Sequence, residues 1–190
     1  MNVSNKHTQL LNRVLTIDVG DNTGWAYWVS TCEFNGKYPI PHSYGQYSHK
    51  ESDIVENDLN FMAGEFEDLI GGFSEGVKLV ILEGVELWGD SLRSLTSARR
   101  GNLFKLAYMV GMYANICRQH GIEFRIVPAR QWKGQMNNDM VSGRVTRMTG
   151  IKVKKKFQHM VDAIGIGLST MGYWEVGGHR IQRTKRYKIG

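Results

Sequence analysis

Arg13-Val14-Leu15-Thr16-Ile17-Asp18-Val19 is an apolar, β-branched run that leads straight into Gly20-Asp21-Asn22-Thr23-Gly24. The run reads as a buried strand and the cluster after it as a turn. Trp25 to Ser30 reads as a second strand, so the two should form a hairpin. One residue breaks the pattern. Asp18 carries a carboxylate into an apolar strand, where it is costly unless it is paired or bound to a cation.

Downstream, His42 to His49 reads as a third strand after the Pro39-Ile40-Pro41 break. Ser52 or Asp53 can cap a helix running to about Gly71, with Ile54, Leu59, Met62, Phe66, Leu69 and Ile70 on its inner side. Val77-Lys78-Leu79-Val80-Ile81-Leu82-Glu83 is a short continuous apolar run, as in a strand covered on both faces. A long helix is expected from about Ser97 to His120, with Leu103, Leu106, Ala107, Val110, Tyr113, Ala114 and Cys117 along one side. Gly121 suits its C-terminal cap. Its other side carries Phe104, Tyr108, Met109 and Met112, so the helix is apolar nearly all round. Phe124 to Val127 makes a further strand, closed by Pro128, and a last helix runs from about Lys156 to Met171 with Phe157, Met160, Val161, Ile164 and Leu168 inward. The order β-β-β-α-β-α-β-α-α predicts an α/β fold, a mixed five-stranded sheet with helices packed on both faces.

Glu83 repeats the anomaly of Asp18 at the end of another apolar strand. His159 and Asp162, three apart on the last helix, share one face beside its apolar stripe. Two acids at strand ends and a His/Asp pair on a covering helix can converge at one end of the sheet. Magnesium takes oxygen ligands, and a pair of such ions can activate a water and stabilise the leaving oxygen of an in-line displacement. Asp21 and Glu86 lie close to these acids and are read as outer supporting groups.

The composition of the 190 residues suits one globular domain, with a net charge of +6. No apolar run approaches a membrane span, and the first residues lack a secretory signal pattern. Cys32 and Cys117, without Cys-x-x-Cys spacing, argue against a zinc module and a disulfide framework. The expected setting is reducing, intracellular and cytoplasmic. Charge is unevenly spread: Glu51 to Glu75 holds eight acids and no Lys or Arg, whereas Arg130 to Lys156 holds eight bases and one acid, Asp139. Arg180, Arg183, Lys185, Arg186 and Lys188 extend the positive charge. A basic last third is compatible with salt-dependent nucleic-acid binding. We expect a flexible N-terminus over 1–12, one domain over 13–175 and a basic tail over 176–190.

Leu15-Thr16-Ile17-Asp18-Val19-Gly20 with Thr23-Gly24-Trp25-Ala26, then Val80-Ile81-Leu82-Glu83, then His159-Met160-Val161-Asp162-Ala163, resemble the motifs of RuvC-type Holliday junction resolvases. These are ribonuclease H-like nucleases, and the resemblance spans about Val14 to Leu168, in character closest to phage and viral members. It implies a ribonuclease H-like fold and a homodimer that makes paired nicks in four-way DNA junctions, in DNA recombination and repair. It also implies Mg²⁺ (Mn²⁺ as substitute), two ions per active site, and no membrane or nucleotide cofactor. A phage-encoded enzyme acting in its host cell would fit the cytoplasmic setting.

By the same resemblance Asp18, Glu83 and Asp162 stand for the family's acids. His159 sits where many members carry Asp and some His, which adds a nitrogen ligand or a proton carrier and removes a negative charge. Lys133, in Pro128-Ala129-Arg130-Gln131-Trp132-Lys133-Gly134, stands for a lysine near the scissile phosphate. Trp88 stands where relatives place an aromatic that stacks on bases. Arg93, Arg99, Arg100, Arg130, Arg144, Lys152, Lys154, Lys155 and Lys156 are candidates for holding phosphates. The long helix is expected to pack against its twofold mate, placing two sites on opposite strands.

Three other readings share these residues. A ribonuclease H-like enzyme that cuts flaps, other branches or hybrids would use the same acids. Asp18-x-Gly20-x-x-Thr23-Gly24 also resembles the phosphate hairpin of actin-like ATPases and sugar kinases, but no second hairpin or Gly-rich adenosine site accompanies it. A junction-binding protein without catalysis would not need intact acids.

Overall fold

The computed structural model describes residues 12–49, 55–85 and 102–174. Its core is a five-stranded mixed sheet. Strand β1 (Val14–Asp18) pairs antiparallel with β2 (Asn22–Trp28), and β2 pairs antiparallel with β5 (Ser43–Ser48). On its other side β1 runs parallel to β6 (Leu79–Gly84), which runs parallel to β7 (Glu123–Pro128). The order across the sheet is β5-β2-β1-β6-β7. The hairpin turn is tighter than expected, because Asn22, Thr23 and Gly24 belong to β2 and only Val19 to Asp21 turn. A two-stranded ribbon, β3 (Phe34–Asn35) with β4 (Tyr38–Pro39), interrupts the chain before β5, where the sequence shows only a break.

One face of the sheet is covered by α1 (Val55–Gly71) and α2 (Asn102–Gln119). Met62, Phe66 and Ile70 point inward from α1, as the spacing predicts, and Phe66 stacks on Tyr113 of α2. The expected caps Ser52 and Asp53, and residues 97–101 of the expected long helix, lie outside the described residues. On α2 two residues face the opposite way from the sides expected of them. Met109, assigned to the outer side, is fully buried, and Ala107, assigned to the inner side, is exposed. The buried stripe is Met109, Val110, Tyr113, Ile116 and Cys117, rotated from the expected one by about one residue. Gly121, with φ of +66°, ends this helix in the left-handed conformation that glycine accepts without strain.

The other face is covered by α5 (Gln158–Thr170), entered through a 3₁₀ turn at Lys155–Phe157. Between β7 and that turn lie a four-residue helix, α3 (Ala129–Trp132), and α4 (Asn138–Thr149). Asn137 caps α4 by accepting from Met140 N, and Gly150 ends it at φ +78°.

Every residue of α5 from Val161 to Ser169 is buried, so this helix is central rather than a surface cover. Small residues let it lie directly on the sheet. A Cβ on Gly24 would stand 2.0 Å from the His159 carbonyl carbon, and one on Gly167 would stand 2.4 Å from the Trp28 ring. Between them Thr16 Oγ1 donates to Ala163 O at 2.8 Å and accepts from Trp28 Nε1 at 3.1 Å. Eight helical residues rise about 12 Å, and four strand residues about 13 Å. The helix therefore tracks β2 from Gly24 to Trp28 without loss of register. Asp18 is the β1 partner of Gly24, so the first turn of α5 is brought beside Asp18.

Candidate active site

β1 and β6 are parallel, with Ile17 paired to Leu82, so Asp18 and Glu83 end neighbouring strands on the same side of the sheet. That side is the one α5 covers. Asp18 and Asp162 are almost wholly buried, 4% and 5% exposed. His159 Nδ1 lies 2.8 Å from Asp18 Oδ2, and Asp18 shares a hydrogen bond with Glu83. Lys133 Nζ donates to Asp162 Oδ2 at 3.4 Å, and Gln158 Nε2 donates to Asp162 Oδ1 at 2.8 Å. The structure thus brings Asp18, Glu83, His159, Asp162 and Lys133 to one end of the sheet, from β1, β6, α5 and the end of α3.

Burial and mutual repulsion leave these acids short of compensation. Burial pushes the Asp18 carboxyl up to about 7; its hydrogen bond with Glu83 opposes the rise, and the Asp162 charge adds to it. Glu83 is raised well above the ordinary range by burial and then by Asp18. Asp162 is raised by burial, against the pull of Lys133 and Gln158. For His159, burial lowers the value although Asp162 and Glu83 favour its charged form. The 2.8 Å contact with Asp18 has the spacing of an ion pair. Because burial disfavours the imidazolium, we read it as a hydrogen bond between a neutral imidazole and the carboxyl group. The side chain remains 41% exposed, so the ring is reachable from solvent.

Among the described residues no group of three or more His, Cys, Asp or Glu side chains is arranged to hold a metal ion as it stands. The donor chemistry nonetheless fits a hard divalent cation. Three carboxylates share this buried corner with Lys133 as a counter-charge among the described residues, and a cation would offset the burial and the mutual repulsion that raise all three. Each carboxylate oxygen has two lone pairs, so the bonds from Lys133, Gln158 and Trp132 leave acceptor capacity on the same atoms.

Two supporting residues escape the sequence reading. Trp132 Nε1 donates to Glu83 Oε1 at 3.1 Å. Gln158, besides holding Asp162, accepts from Ser142 Oγ at 3.0 Å and so ties α5 to α4. Trp132 adjoins Lys133 in the quoted motif, yet nothing in its spacing points to Glu83. Gln158 precedes Asp162 by four residues, and that helical spacing is the available signal. Asp21 meets Lys105 Nζ of α2 at 2.8 Å, at the rim rather than in the cluster. Lys105 also reaches the buried Asp58 at 3.2 Å, and Asp58 meets His49 at 2.7 Å.

The basic candidates are spread over several places. Lys152, Lys154, Lys155 and Lys156 are exposed on the approach to α5, within seven residues of His159. Arg130 is exposed on α3. Arg144, on α4, lies 4.5 Å from the centre of the Trp174 ring. Trp88, Arg93, Arg99, Arg100 and Glu86 lie outside the described residues.

No protein-family model and no curated protein matches the chain. Solved structures do. Thermus thermophilus RuvC in complex with a Holliday junction substrate superposes with a TM-score of 0.60 at 14% identity, over 85% of this chain and 98% of that one. The fold is that of RuvC-type resolvases. A second T. thermophilus RuvC structure gives 0.58 at 14% identity, over 85% of this chain and 98% of that one. The yeast mitochondrial Holliday junction resolvase Ydc2 gives 0.54 at 11% identity, over 88% of this chain and 82% of that one. The RuvC-type, ribonuclease H-like architecture expected from the three motifs is therefore the architecture found. No described helix is long and apolar enough to cross a membrane.

Proposed function

We propose that the chain is a metal-dependent, structure-selective endonuclease that resolves four-way DNA junctions by paired nicks, acting as a homodimer. The observation that carries this reading is the convergence of Asp18, Glu83, His159 and Asp162 at one end of a RuvC-type sheet. Those four residues would hold Mg²⁺, or Mn²⁺ in its place, as two ions per site that activate a water and neutralise charge on the leaving oxygen. Lys133, which lies beside Asp162, would offset charge on the scissile phosphate. His159, neutral and reachable from solvent, serves as a nitrogen ligand or carries a proton away from the attacking water.

The deciding experiment is an electrophoretic cleavage assay with Mg²⁺ on four-way junctions, flaps and linear duplex. Paired nicks in the junction support the reading. Equal cutting of flaps widens it to branched DNA in general. ATP hydrolysis without DNA cleavage overturns it.

Lys152, Lys154, Lys155 and Lys156 would grip phosphates beside the site. Replacing all four by Ala should lower the slope of log affinity against log salt by about one per lysine. Binding titrations of a four-way junction at several salt concentrations check this. An unchanged slope would place the phosphate grip elsewhere.

The dimer reading draws on α2, where Phe104 is 73% and Tyr108 is 63% exposed, one helical turn apart. Two large exposed rings on one stripe suit a symmetric contact. Phe104→Glu with Tyr108→Glu should weaken self-association by about 100-fold or more, since buried anchors of this kind contribute about 2 kcal/mol each. Sedimentation velocity over a concentration series measures it. A wild type that is monomeric throughout defeats the dimer reading.

A further inference from the structure

Trp132 is fully buried, and its indole N–H donates to Glu83. An indole nitrogen only donates. Away from water, this one would be left unsatisfied by any movement of Glu83 away from it, which is unfavourable.

The ring itself is held on two sides. A Cβ at Gly165 of α5 would stand 2.6 Å from the edge of the Trp132 ring, so the ring is seated where only glycine leaves room. Trp174 meets it edge-on, with ring centres 6.1 Å apart at 62°. The Arg144 guanidinium lies over Trp174 in turn. The donor is therefore fixed by α5 and by the chain after it, while its acceptor sits on β6. The backbone contributes too. Glu83 pairs in register with Val127 of β7, and α3 follows β7 directly, so Trp132 returns to the strand end it serves.

We propose that Trp132 is a positioning residue that fixes one oxygen of Glu83 and so presents the carboxylate in a single orientation to a divalent cation. The inference rests on the reading of Glu83 as a metal ligand given above. Outer partners that orient ligating groups typically change metal affinity by about 10–100-fold when removed.

Calorimetric titration with Mg²⁺ and ¹H–¹⁵N spectra of the tryptophan indoles test it on the full chain without DNA. Trp132→Phe keeps an aromatic ring over Gly165 and removes the N–H. The expected result is a loss of Mg²⁺ affinity of about tenfold or more. In the spectra, the indole signal missing from Trp132→Phe identifies Trp132. That signal should move in Glu83→Ala, where the acceptor is gone, and move when Mg²⁺ is added to wild type. If wild type binds Mg²⁺ and Trp132→Phe binds it equally well, the inference fails while the metal reading stands. If wild type binds no Mg²⁺, the metal reading fails and takes the inference with it. If Trp132→Phe does not fold, the other two spectra decide without that assignment: an indole signal that moves both in Glu83→Ala and on adding Mg²⁺ to wild type supports the coupling, and the absence of any such signal overturns it.

Discussion

Asp18→Asn should lower junction cleavage by about 10³-fold, equivalent to about 4 kcal/mol of lost transition-state stabilisation. It should leave junction binding intact or tighter, because the substitution removes a negative charge near the phosphates. The same variant carries a second signature without DNA or metal. Burial raises the Asp18 carboxyl to about 7 in the folded protein, against an ordinary value near 4 in the unfolded chain. A group raised by folding gives stability that is fully present below the unfolded value and is lost as pH rises through the folded one. The Asp18 contribution to the stability of metal-free wild type should thus be lost between about pH 4 and pH 7. Asn, which has nothing to ionise, escapes that loss. At pH 8 Asp18→Asn should melt higher than wild type by at least about 3 °C, the shift expected of 1 kcal/mol in a domain of this size. At pH 4 the difference should vanish, and added Mg²⁺ should raise the melting point of wild type alone. Gel assays of cleavage and thermal melts at the two pH values check both parts. Wild-type cutting by Asp18→Asn would refute the shared site. Equal melting at pH 8 would show that the buried charge carries no cost.

The residues of this cluster are legible because they violate local patterns. A carboxylate closing an apolar strand, as at Asp18 or Glu83, is a visible cost in one dimension and asks for a partner. The His159–Asp162 spacing puts both on one helix face without knowledge of the fold. What supports them is not legible, since Trp132 meets Glu83, and Lys133 meets Asp162, only once β7, α3 and α5 have packed. On α2, the apolar residues outnumber those one face can bury, so the pattern does not say whether Met109 or Phe104 turns inward. In the fold Met109 joins the buried core with Tyr113, and Phe104 stays exposed. For α4 the local signals are present, with Asn137 before it, Val141, Val145 and Met148 at helical spacing, and Gly150 after it. The basic residues in that stretch draw the reading toward charge instead.

Gly24 shows the limit most clearly, since as one residue of Gly20-Asp21-Asn22-Thr23-Gly24 it reads as part of a turn. In the fold it lies within β2, opposite Asp18, and its essential property is the missing Cβ. A Cβ there would stand 2.0 Å from both the carbonyl carbon and oxygen of His159 and 2.4 Å from Met160 N. These are backbone atoms of the first turn of α5, which no rotamer change can move aside. Gly24→Ala must therefore displace the helix end or the strand. Overpacking a tight site typically costs about 1–3 kcal/mol, and a backbone clash belongs at the upper end. In a domain of this size that corresponds to a fall in melting temperature of about 6–12 °C. The displacement also carries His159 and Asp162 away from Asp18 and Glu83, and a shift of about 1 Å in such a constellation can cost about 100-fold in rate. Gly64 supplies the control. It lies within α1, and nothing stands within 4 Å of the place an alanine methyl would take, so Gly64→Ala should be neutral or stabilise by up to about 1 kcal/mol. Thermal melts and single-turnover cleavage of the two variants separate a general intolerance of alanine from the specific need at Gly24. If Gly24→Ala melts and cuts like wild type, α5 does not rest on β2 at this point, and the route by which His159 reaches Asp18 must be different.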